Sequence, residues 1–195
     1  MGCYGRGELH PQSDVDLLLL LDQKPYKANC ETISGLVTYL WDCGLDLGHS
    51  VRTLKECLAY ARDDITIHTN ILESRPISGE TGLFDQLKIL TDTQNMWNSS
   101  EFFIAKWKEQ RERHRDTNNN EYNLEPNIKT SPGGLRDIQN IIWIAKRHLG
   151  EGNIQQLEKS GFLTEIEAAN FAEGLQFLWK ARYALHMLAK RHEDR

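Results

Sequence analysis

Two carboxylates stand directly before an apolar run near the start of the chain. Asp14 and Asp16 flank Val15, and the leucines of Leu17–Leu21 follow. In an extended strand successive side chains alternate faces, so Asp14 and Asp16 point to one side and Val15 to the other. Two like charges this close repel each other unless a cation lies between them or one of them takes a proton. The pattern predicts that Asp14 and Asp16 hold Mg²⁺ at the mouth of a buried strand.

A segment rich in small residues, Gly2–Gly7, precedes these carboxylates and predicts a flexible loop. Glycines let backbone N–H groups approach a phosphate closely, and Arg6 offers a planar fork of donors to phosphate oxygens. A dinucleotide-binding fingerprint would require a helix immediately after the glycines, whereas His10, Pro11 and the apolar strand follow here. The alternative interpretation is a glycine-rich turn before a strand with a solvated acidic start.

Three separated segments resemble the bacterial family of uridylyltransferase/uridylyl-removing enzymes, which belongs to the nucleotidyltransferases of the DNA polymerase beta type. The segments are YGRGELHP at 4–11, GHSVRT at 48–53 and PGGLRD at 132–137. The superfamily signature, a small-residue loop followed by Ser-Asp-x-Asp, is matched by Gly2-Cys3 and by 13–16. The resemblance runs through the whole chain. It implies an α+β fold, with a small nucleotidyltransferase sheet and flanking helices followed by an all-helical domain.

The resemblance also implies a third metal carboxylate, which usually lies on a later strand in the form acid-x-Arg. Glu73, followed by Ser74 and Arg75, is the best match, and Arg75 is then expected to face the same site. Asp64 is the second candidate for this carboxylate and Asp46 the third. Nucleotide-binding roles are implied for the following residues of this part of the chain: Gly2, Cys3, Arg6, Ser13 and Arg75.

The reaction implied by the resemblance is the transfer of UMP from UTP to a tyrosine of the PII nitrogen-signalling protein, with release of pyrophosphate. Magnesium bound by Asp14, Asp16 and Glu73 would activate the attacking hydroxyl and neutralise the triphosphate. The residue types alone support nucleotidyl transfer. The base and the acceptor follow only from the resemblance, and the family's removal activity, which uses an adjacent His-Asp pair, is not expected because the sequence contains no such pair.

A second candidate anion site lies at the Pro132-Gly133-Gly134 turn. The turn comes just before a predicted helix, where free backbone N–H groups favour anions. Lys129 and Arg136 add positive charge, so the resemblance implies that they help to bind the nucleotide. The alternative is an ordinary turn in which Asp137 stands near the helix start.

The composition limits the classes of partner. A formal net charge of -5 argues against a general nucleic-acid binder, which needs a basic face. Cys3, Cys30, Cys43 and Cys57 lack the C-x-x-C spacing of a zinc site or the pattern of a disulfide framework. The longest pure apolar run near the start is far too short to cross a membrane. These features predict a cytoplasmic protein that works without nucleic acid or membrane.

Hydrophobic periodicity predicts two domains, 1–92 and 93–195. The first has a helix from about Lys27 to Asp42, strands at 45–52 and 71–77, and a capping box at Thr53–Glu56, with a linker from Gly79. The second is helical from Asn98 to Arg115, from Leu135 to Leu149 and after a capping box at Thr164–Glu167, with a polar loop near 118–120. Because Met1 falls directly on the glycine segment, we expect the nucleotidyltransferase domain to be truncated at its N-terminus.

Two other functions stay open on the sequence. The chain could be a catalytically silent module that binds nucleotide or PII. It could also be a nucleotidyltransferase whose acceptor is a small molecule. Metal-dependent turnover with PII separates the first of these from an enzyme, and turnover without any protein acceptor identifies the second.

Overall fold

The structure of the protein is a computed structural model that describes residues 2–22, 29–118, 125–150 and 152–195. The chain divides into two compact units, Met1–Trp97 and Asn98–Arg195. The described elements confirm the α+β class. Those of the first unit are α1 (Gly2–Arg6), β1 (Val15–Leu21), α2 (Cys30–Asp42), β2 (Leu47–Thr53), α3 (Leu54–Asp63), α4 (Ile65–Leu72) and α5 (Thr81–Leu90).

The two strands form a parallel pair in the first unit, and Val15 is the register partner of Leu47. Parallel strands need a crossover between them, and α2 supplies it. Leu18 and Leu20 pack against the core on one face of β1. The indole of Trp41, on α2, donates to the Leu47 carbonyl at 3.2 Å. The predicted strands at the leucine run and after Gly44 are therefore confirmed.

The hydrophobic core of the first unit lies between the sheet and the helices that follow it. Its buried members are Cys57, Ala61, Ile71, Leu87 and Met96. The predicted capping box opens α3, because the Glu56 amide donates to Thr53 Oγ1 and the Glu56 carboxylate accepts from the Thr53 amide. This arrangement satisfies amides at the helix start and fixes the turn from β2 into α3.

The predicted third strand at 71–77 is wrong. Residues up to Leu72 belong to α4, and Glu73 is its C-terminal cap, so Glu73 does not lie on a strand and Pro76 does not mark a sheet edge. The β-branched residues in this stretch favoured a strand. Helix α4 takes up the start of this stretch, because the Thr66 amide donates to the Asp64 carboxylate at 2.7 Å and because His68 and Ile71, three residues apart, are buried on one face. Residues 74–77 form neither a strand nor a helix.

Two smaller expectations for the first unit are corrected as well. The glycine segment is helical from Gly2 to Arg6 and is not a loop, although Gly2 and Gly7 have positive φ angles of 55° and 76°. The stretch after Gly79 contains α5 and is not simply a linker. The predicted start of the second helix at Lys27 lies outside the described residues.

The described elements of the second unit are all helical: α6 (Ser99–Asn118), α7 (Leu135–Leu149), α8 (Ile154–Lys159) and α9 (Glu165–Ala189). The predicted bounds of α7 and the Thr164 capping box of α9 are confirmed. Asn118 ends α6, and the rest of the predicted polar loop, Asn119 and Asn120, lies outside the described residues. None of the described helices has both the length and the apolar character that crossing a membrane requires.

Candidate functional site

The Asp16 carboxylate lies between two glycines of different elements. A Cβ atom at Gly2, the first residue of α1, would lie 2.7 Å from Asp16 Oδ2. A Cβ atom at Gly48, the register partner of Asp16 on β2, would lie 3.1 Å from Asp16 Oδ1. The absence of side chains at both positions therefore makes the space in which this carboxylate stands. We name the arrangement of Gly2, Asp16 and Gly48 the glycine cradle.

Asp14 and Asp46 are brought to the same end of the sheet. The Val15 amide donates to the Asp46 carbonyl at 2.8 Å, and Val15 and Leu47 are the first paired residues. The residues just before this pair are Asp14 and Asp46, so we expect the pleat to direct both side chains to the Asp16 side of the sheet. Sequence reasoning ranked Asp46 third among the candidates for the third metal carboxylate, since the sequence alone does not show the parallel pairing of β1 with β2.

Ser13 adds a buried hydroxyl next to Asp14. Its side chain is only 8% exposed, and its Oγ finds no hydrogen-bond partner among the described residues. A buried polar atom normally has a partner, and leaving one without a partner costs about 1–3 kcal/mol. The Ser13 hydroxyl therefore has unused bonding capacity beside a carboxylate, as expected of a residue that binds a ligand.

The partly buried Arg6 and the buried Glu73 form an ion pair on the α1 side of this region. Arg6 Nη1 donates to Glu73 Oε1 in a short contact, and Glu73 is 5% exposed. Arg6 Nε also donates to Glu8 Oε2 at 2.7 Å. Burial alone would lower the pKa of Arg6, but the Glu73 and Glu8 carboxylates outweigh it and raise this pKa above its ordinary value. The guanidinium is therefore a fixed positive charge that joins α1 to the end of α4.

Two further contacts hold α1 against the residues after α4. Arg75 Nε donates to the Tyr4 carbonyl at 3.2 Å, and its guanidinium lies 4.6 Å from the centre of the Tyr4 ring. A Cβ atom at Gly5 would lie 2.2 Å from the Glu73 carbonyl oxygen, so only glycine allows this approach of the two backbones. Sequence reasoning placed Arg6, Glu73 and Arg75 at one site. The structure does bring them together, with Arg6 bonded to Glu73.

The predicted metal ligands do not form one tight group. Among the described residues, only His186, His192 and Asp194 bring three possible ligand atoms within 4.8 Å of one another. Two metal ions in one site lie about 3.5–4 Å apart, so their ligands can span more than this distance. Asp64, the second candidate for the third carboxylate, caps α4 through the Thr66 amide. The oxygen donors of Asp14, Asp16 and Asp46 suit a hard cation such as Mg²⁺.

The predicted anion site at the start of α7 lacks the free amides that it requires. The Gly133 amide donates to Asp137 Oδ2 at 2.8 Å. The amides of residues 134–137 donate to backbone carbonyls of Ser131, Ile128, Lys129 and Gly134. The expectation of free N–H groups at this turn is therefore wrong, because Asp137 and the turn itself use them. The Asp137 carboxylate is held in place by Arg113 and by His114 Nε2 at 2.9 Å.

Lys129 and Arg136, the two cations predicted to help at this turn, belong to the second unit. The Lys129 amide donates to Asn127 Oδ1 at 3.0 Å, and its carbonyl accepts from the Arg136 amide at 2.8 Å. The Arg136 guanidinium lies 5.4 Å from the Trp143 ring centre, and Lys106 Nζ lies 4.6 Å from the same ring. The backbones of Lys129 and Arg136 are thus part of the turn, and the Trp143 ring orients the Arg136 side chain.

A buried polar cluster at the end of α9 was missed by the sequence analysis. Arg182 Nε donates to Asp194 Oδ1 at 2.6 Å, and both residues are buried. His186 Nε2 and His192 Nε2 lie 3.5 Å and 3.3 Å from the same carboxylate. Lys190, with φ of 52°, turns the chain back so that residues 192–194 meet α9. The only sequence signal was the spacing of Arg182 and His186 on one helix face.

The cluster resembles a metal site in its ligand types, but its charge does not favour a cation. The Arg182 guanidinium already neutralises Asp194, and its Nη2 lies 3.2 Å from His192 Nε2. A divalent ion among these three side chains would stand beside a buried positive charge. We therefore regard Arg182 as the counter-ion of Asp194 and the cluster as part of the packing of this unit.

Comparisons with known proteins agree with the resemblance seen in the sequence motifs. The family model described as GlnD PII-uridylyltransferase matches residues 101–195. The whole chain is 54% identical to the bifunctional uridylyltransferase/uridylyl-removing enzyme of Stutzerimonas stutzeri (strain A1501). It is 53% and 52% identical to the enzymes of that name in Pseudomonas fluorescens (strain SBW25) and Pseudomonas aeruginosa (strain LESB58). The predicted family resemblance is confirmed.

These alignments include 100% of the chain, and the chain spans only 22% of the length of the curated relatives. No solved structure matches the chain significantly. The comparisons thus cover one part of these longer enzymes. They do not identify the two-stranded sheet as one of the nucleotidyltransferase type.

Proposed function

Because the chain is similar along its whole length to bifunctional uridylyltransferase/uridylyl-removing enzymes, we propose that it carries their nucleotidyl-transfer site. In this proposal UMP passes from UTP to a tyrosine of the PII signalling protein. The tyrosine oxygen attacks the α-phosphorus, the bond to the β-phosphate oxygen breaks, and pyrophosphate leaves. The geometric observation that carries the proposal is the glycine cradle, in which two glycines leave space for the Asp16 carboxylate near one end of the parallel strand pair.

Asp14 and Asp16 are the proposed metal ligands, as the sequence predicted. For the third carboxylate we propose Asp46, because its carbonyl accepts from the Val15 amide next to Asp14, whereas the Glu73 carboxylate accepts from Arg6. Mg²⁺, when bound, supplies charge neutralisation at the triphosphate and a lowered pKa at the attacking hydroxyl. The fit to Mg²⁺ depends on the oxygen donors and on the neighbouring Ser13 hydroxyl, which has no partner among the described residues.

The nucleotide is proposed to lie on the α1 side of these carboxylates. The Ser13 hydroxyl and the backbone of Gly2 and Cys3 are the groups proposed to contact its phosphates. Arg75 would add positive charge from the segment after α4, where it now lies on Tyr4. A phosphate at the turn of the second unit that holds Lys129 and Arg136 would have to compete with Asp137 for the Gly133 amide, so we propose no phosphate contact for these two residues.

The test is label transfer from α-labelled UTP to purified PII in the presence of Mg²⁺. The chain should label PII, and the double variant Asp14→Asn/Asp16→Asn should lose the signal. Asp63→Asn is the matched control, because Asp63 is an exposed carboxylate at the end of α3 and lies outside the proposed site. A folded chain that binds PII without metal and transfers no label would instead indicate the silent binding module. Label on a small acceptor in the absence of PII would indicate a nucleotidyltransferase whose acceptor is a small molecule.

A further inference from the structure

The residues around α1 explain how the glycine cradle is kept in place. Helix α1 has only five residues and none of them is buried, so it cannot hold its position by itself. Its first residue, Gly2, forms one wall of the cradle. Any movement of α1 therefore changes the space around the Asp16 carboxylate.

Residue 73 contacts α1 twice. Its side chain accepts a hydrogen bond from Arg6, and its carbonyl oxygen stands where a side chain on Gly5 would be. Arg6 also reaches Cys3 Sγ at 3.4 Å, so the same guanidinium braces the first turn of the helix. Glu73 is fixed in turn, because it caps the end of α4 and its amide donates to the Thr69 carbonyl at 3.1 Å.

We infer that Glu73 is a positioning residue, which holds Arg6 and thereby fixes α1 and the glycine cradle, and that it is not a metal ligand. This inference deepens the proposed function, since the cradle is the proposed metal site. Glu73 already accepts from Arg6, so a metal ion bound by the same carboxylate would compete with the guanidinium for it. The metal would also stand close to that positive charge, which Coulomb repulsion opposes.

The two possible roles of Glu73 predict opposite effects for Arg6. If Glu73 positions α1, then Arg6→Met and Glu73→Gln both break the Arg6–Glu73 ion pair and should change α1 in the same direction. If Glu73 binds the metal, then Arg6→Met removes a competing cation and should strengthen metal binding, whereas Glu73→Gln should weaken it. The double variant Arg6→Met/Glu73→Gln leaves no unpaired buried charge and serves where a single variant folds poorly.

The experiment measures two quantities on the purified chain: amide hydrogen exchange over residues 3–8 and Mn²⁺ affinity. We expect each single variant to speed exchange in this segment roughly tenfold and to lower Mn²⁺ affinity by a similar factor, with no further loss in the double variant. Glu80→Gln is the control, because Glu80 is an exposed carboxylate that makes no side-chain cap bond at α5. Thermal unfolding of each variant verifies that it is folded.

The inference would be overturned by tighter Mn²⁺ binding in Arg6→Met together with weaker binding in Glu73→Gln. Unchanged exchange over residues 3–8 in both single variants would overturn it as well. Neither readout requires UTP, PII or turnover. If the unaltered chain transfers no UMP but residues 3–8 lose protection in both single variants, the proposed function fails. The inference that Glu73 holds Arg6 and α1 in place still stands.

Discussion

Asp16 and Gly48 are register partners, and the carboxylate of the first occupies the space beside the second that a side chain would fill. Gly48→Ala would place a Cβ atom 3.1 Å from Asp16 Oδ1, so the carboxylate must shift by a few tenths of an ångström. We expect Mn²⁺ affinity to fall about tenfold, because orientation of a metal ligand is worth this much. Calorimetric titration with Mn²⁺ measures it.

The control for this variant is Gly174→Ala, since a Cβ atom at Gly174 on α9 would meet nothing within 4 Å. Gly174→Ala should leave Mn²⁺ affinity unchanged and raise the melting temperature slightly, because alanine favours a helix over glycine. Equal affinities in Gly48→Ala and in the unaltered chain would mean that the metal, if it binds, does not use Asp16.

Asp46 is the proposed third carboxylate, and its removal tests the choice made from the strand register. Asp46→Asn should lower the rate of label transfer roughly a hundredfold, because a ligand of a catalytic metal supports several kcal/mol of charge stabilisation. Rates with saturating UTP and PII measure the effect. Asp42→Asn, at the exposed end of α2, is the control. A rate within twofold of the unaltered chain would remove Asp46 from the site.

The Arg182–Asp194 pair should be a major source of stability in the second unit. Asp194→Asn removes the carboxylate that balances the charge of the buried Arg182 and should cost about 3 kcal/mol in the free energy of unfolding. Urea denaturation followed by tryptophan fluorescence measures this cost. Glu193→Gln alters the neighbouring carboxylate, which pairs with the exposed Arg191, and should leave the free energy of unfolding nearly unchanged. Similar losses in the two variants would contradict the assignment.

The same cluster predicts that the second unit loses stability in acid. Burial and the Arg182 charge lower the pKa of His186 from 6.5. Burial raises the pKa of Asp194, but the hydrogen bond and charge of Arg182 outweigh it and leave this pKa below 3.8. The unfolded chain therefore takes up protons first, and stability should fall as the pH drops below about 6.5 and again below about 3.8. Denaturation midpoints between pH 8 and pH 3 test this, and a flat profile would contradict it.

Cys57 should differ from the other thiols in its reactivity. Burial in the core raises the pKa of the Cys57 thiol from 9.0 to about 11, while Cys30 and Cys43 are exposed. A thiol reagent at pH 8 should modify Cys30 and Cys43 at least tenfold faster than Cys57, because it reacts with accessible thiolates. Mass spectrometry of a time course measures the rates. Stability linked to this group is present below pH 9 and is lost as the pH rises towards 11.

Sequence patterns predicted α6, α7 and α9 of the second unit, because their signals are local, but did not predict the short helix α8. The Thr164 capping box and the periodic apolar residues from Leu135 to Leu149 each specify a helix without reference to the rest of the chain. The same holds for the Thr53 capping box at the start of α3. These elements needed no tertiary information.

The errors arose where long-range contacts decide the structure. Residues 71–77 were predicted as a strand, but Ile71 and Leu72 are the end of α4, which buries His68 and Ile71 on one face, and Glu73 is its C-terminal cap. The pairing of Val15 with Leu47 brings Asp46 into the candidate site, and no local pattern reports a strand register. The motifs identified Arg6 and Glu73 as neighbours without showing that they bond to each other.

The contacts of α1 with residues 73–75 have a consequence for how the chain folds. Helix α1 makes its hydrogen bonds and close contacts with residues about seventy positions further along the sequence, through Tyr4, Gly5 and Arg6. Contacts of such separation form late, because the intervening chain must first be ordered. Helix α1 is therefore expected to dock after α4 is complete and to detach before the core unfolds, so that the proposed catalytic centre is assembled last and lost first.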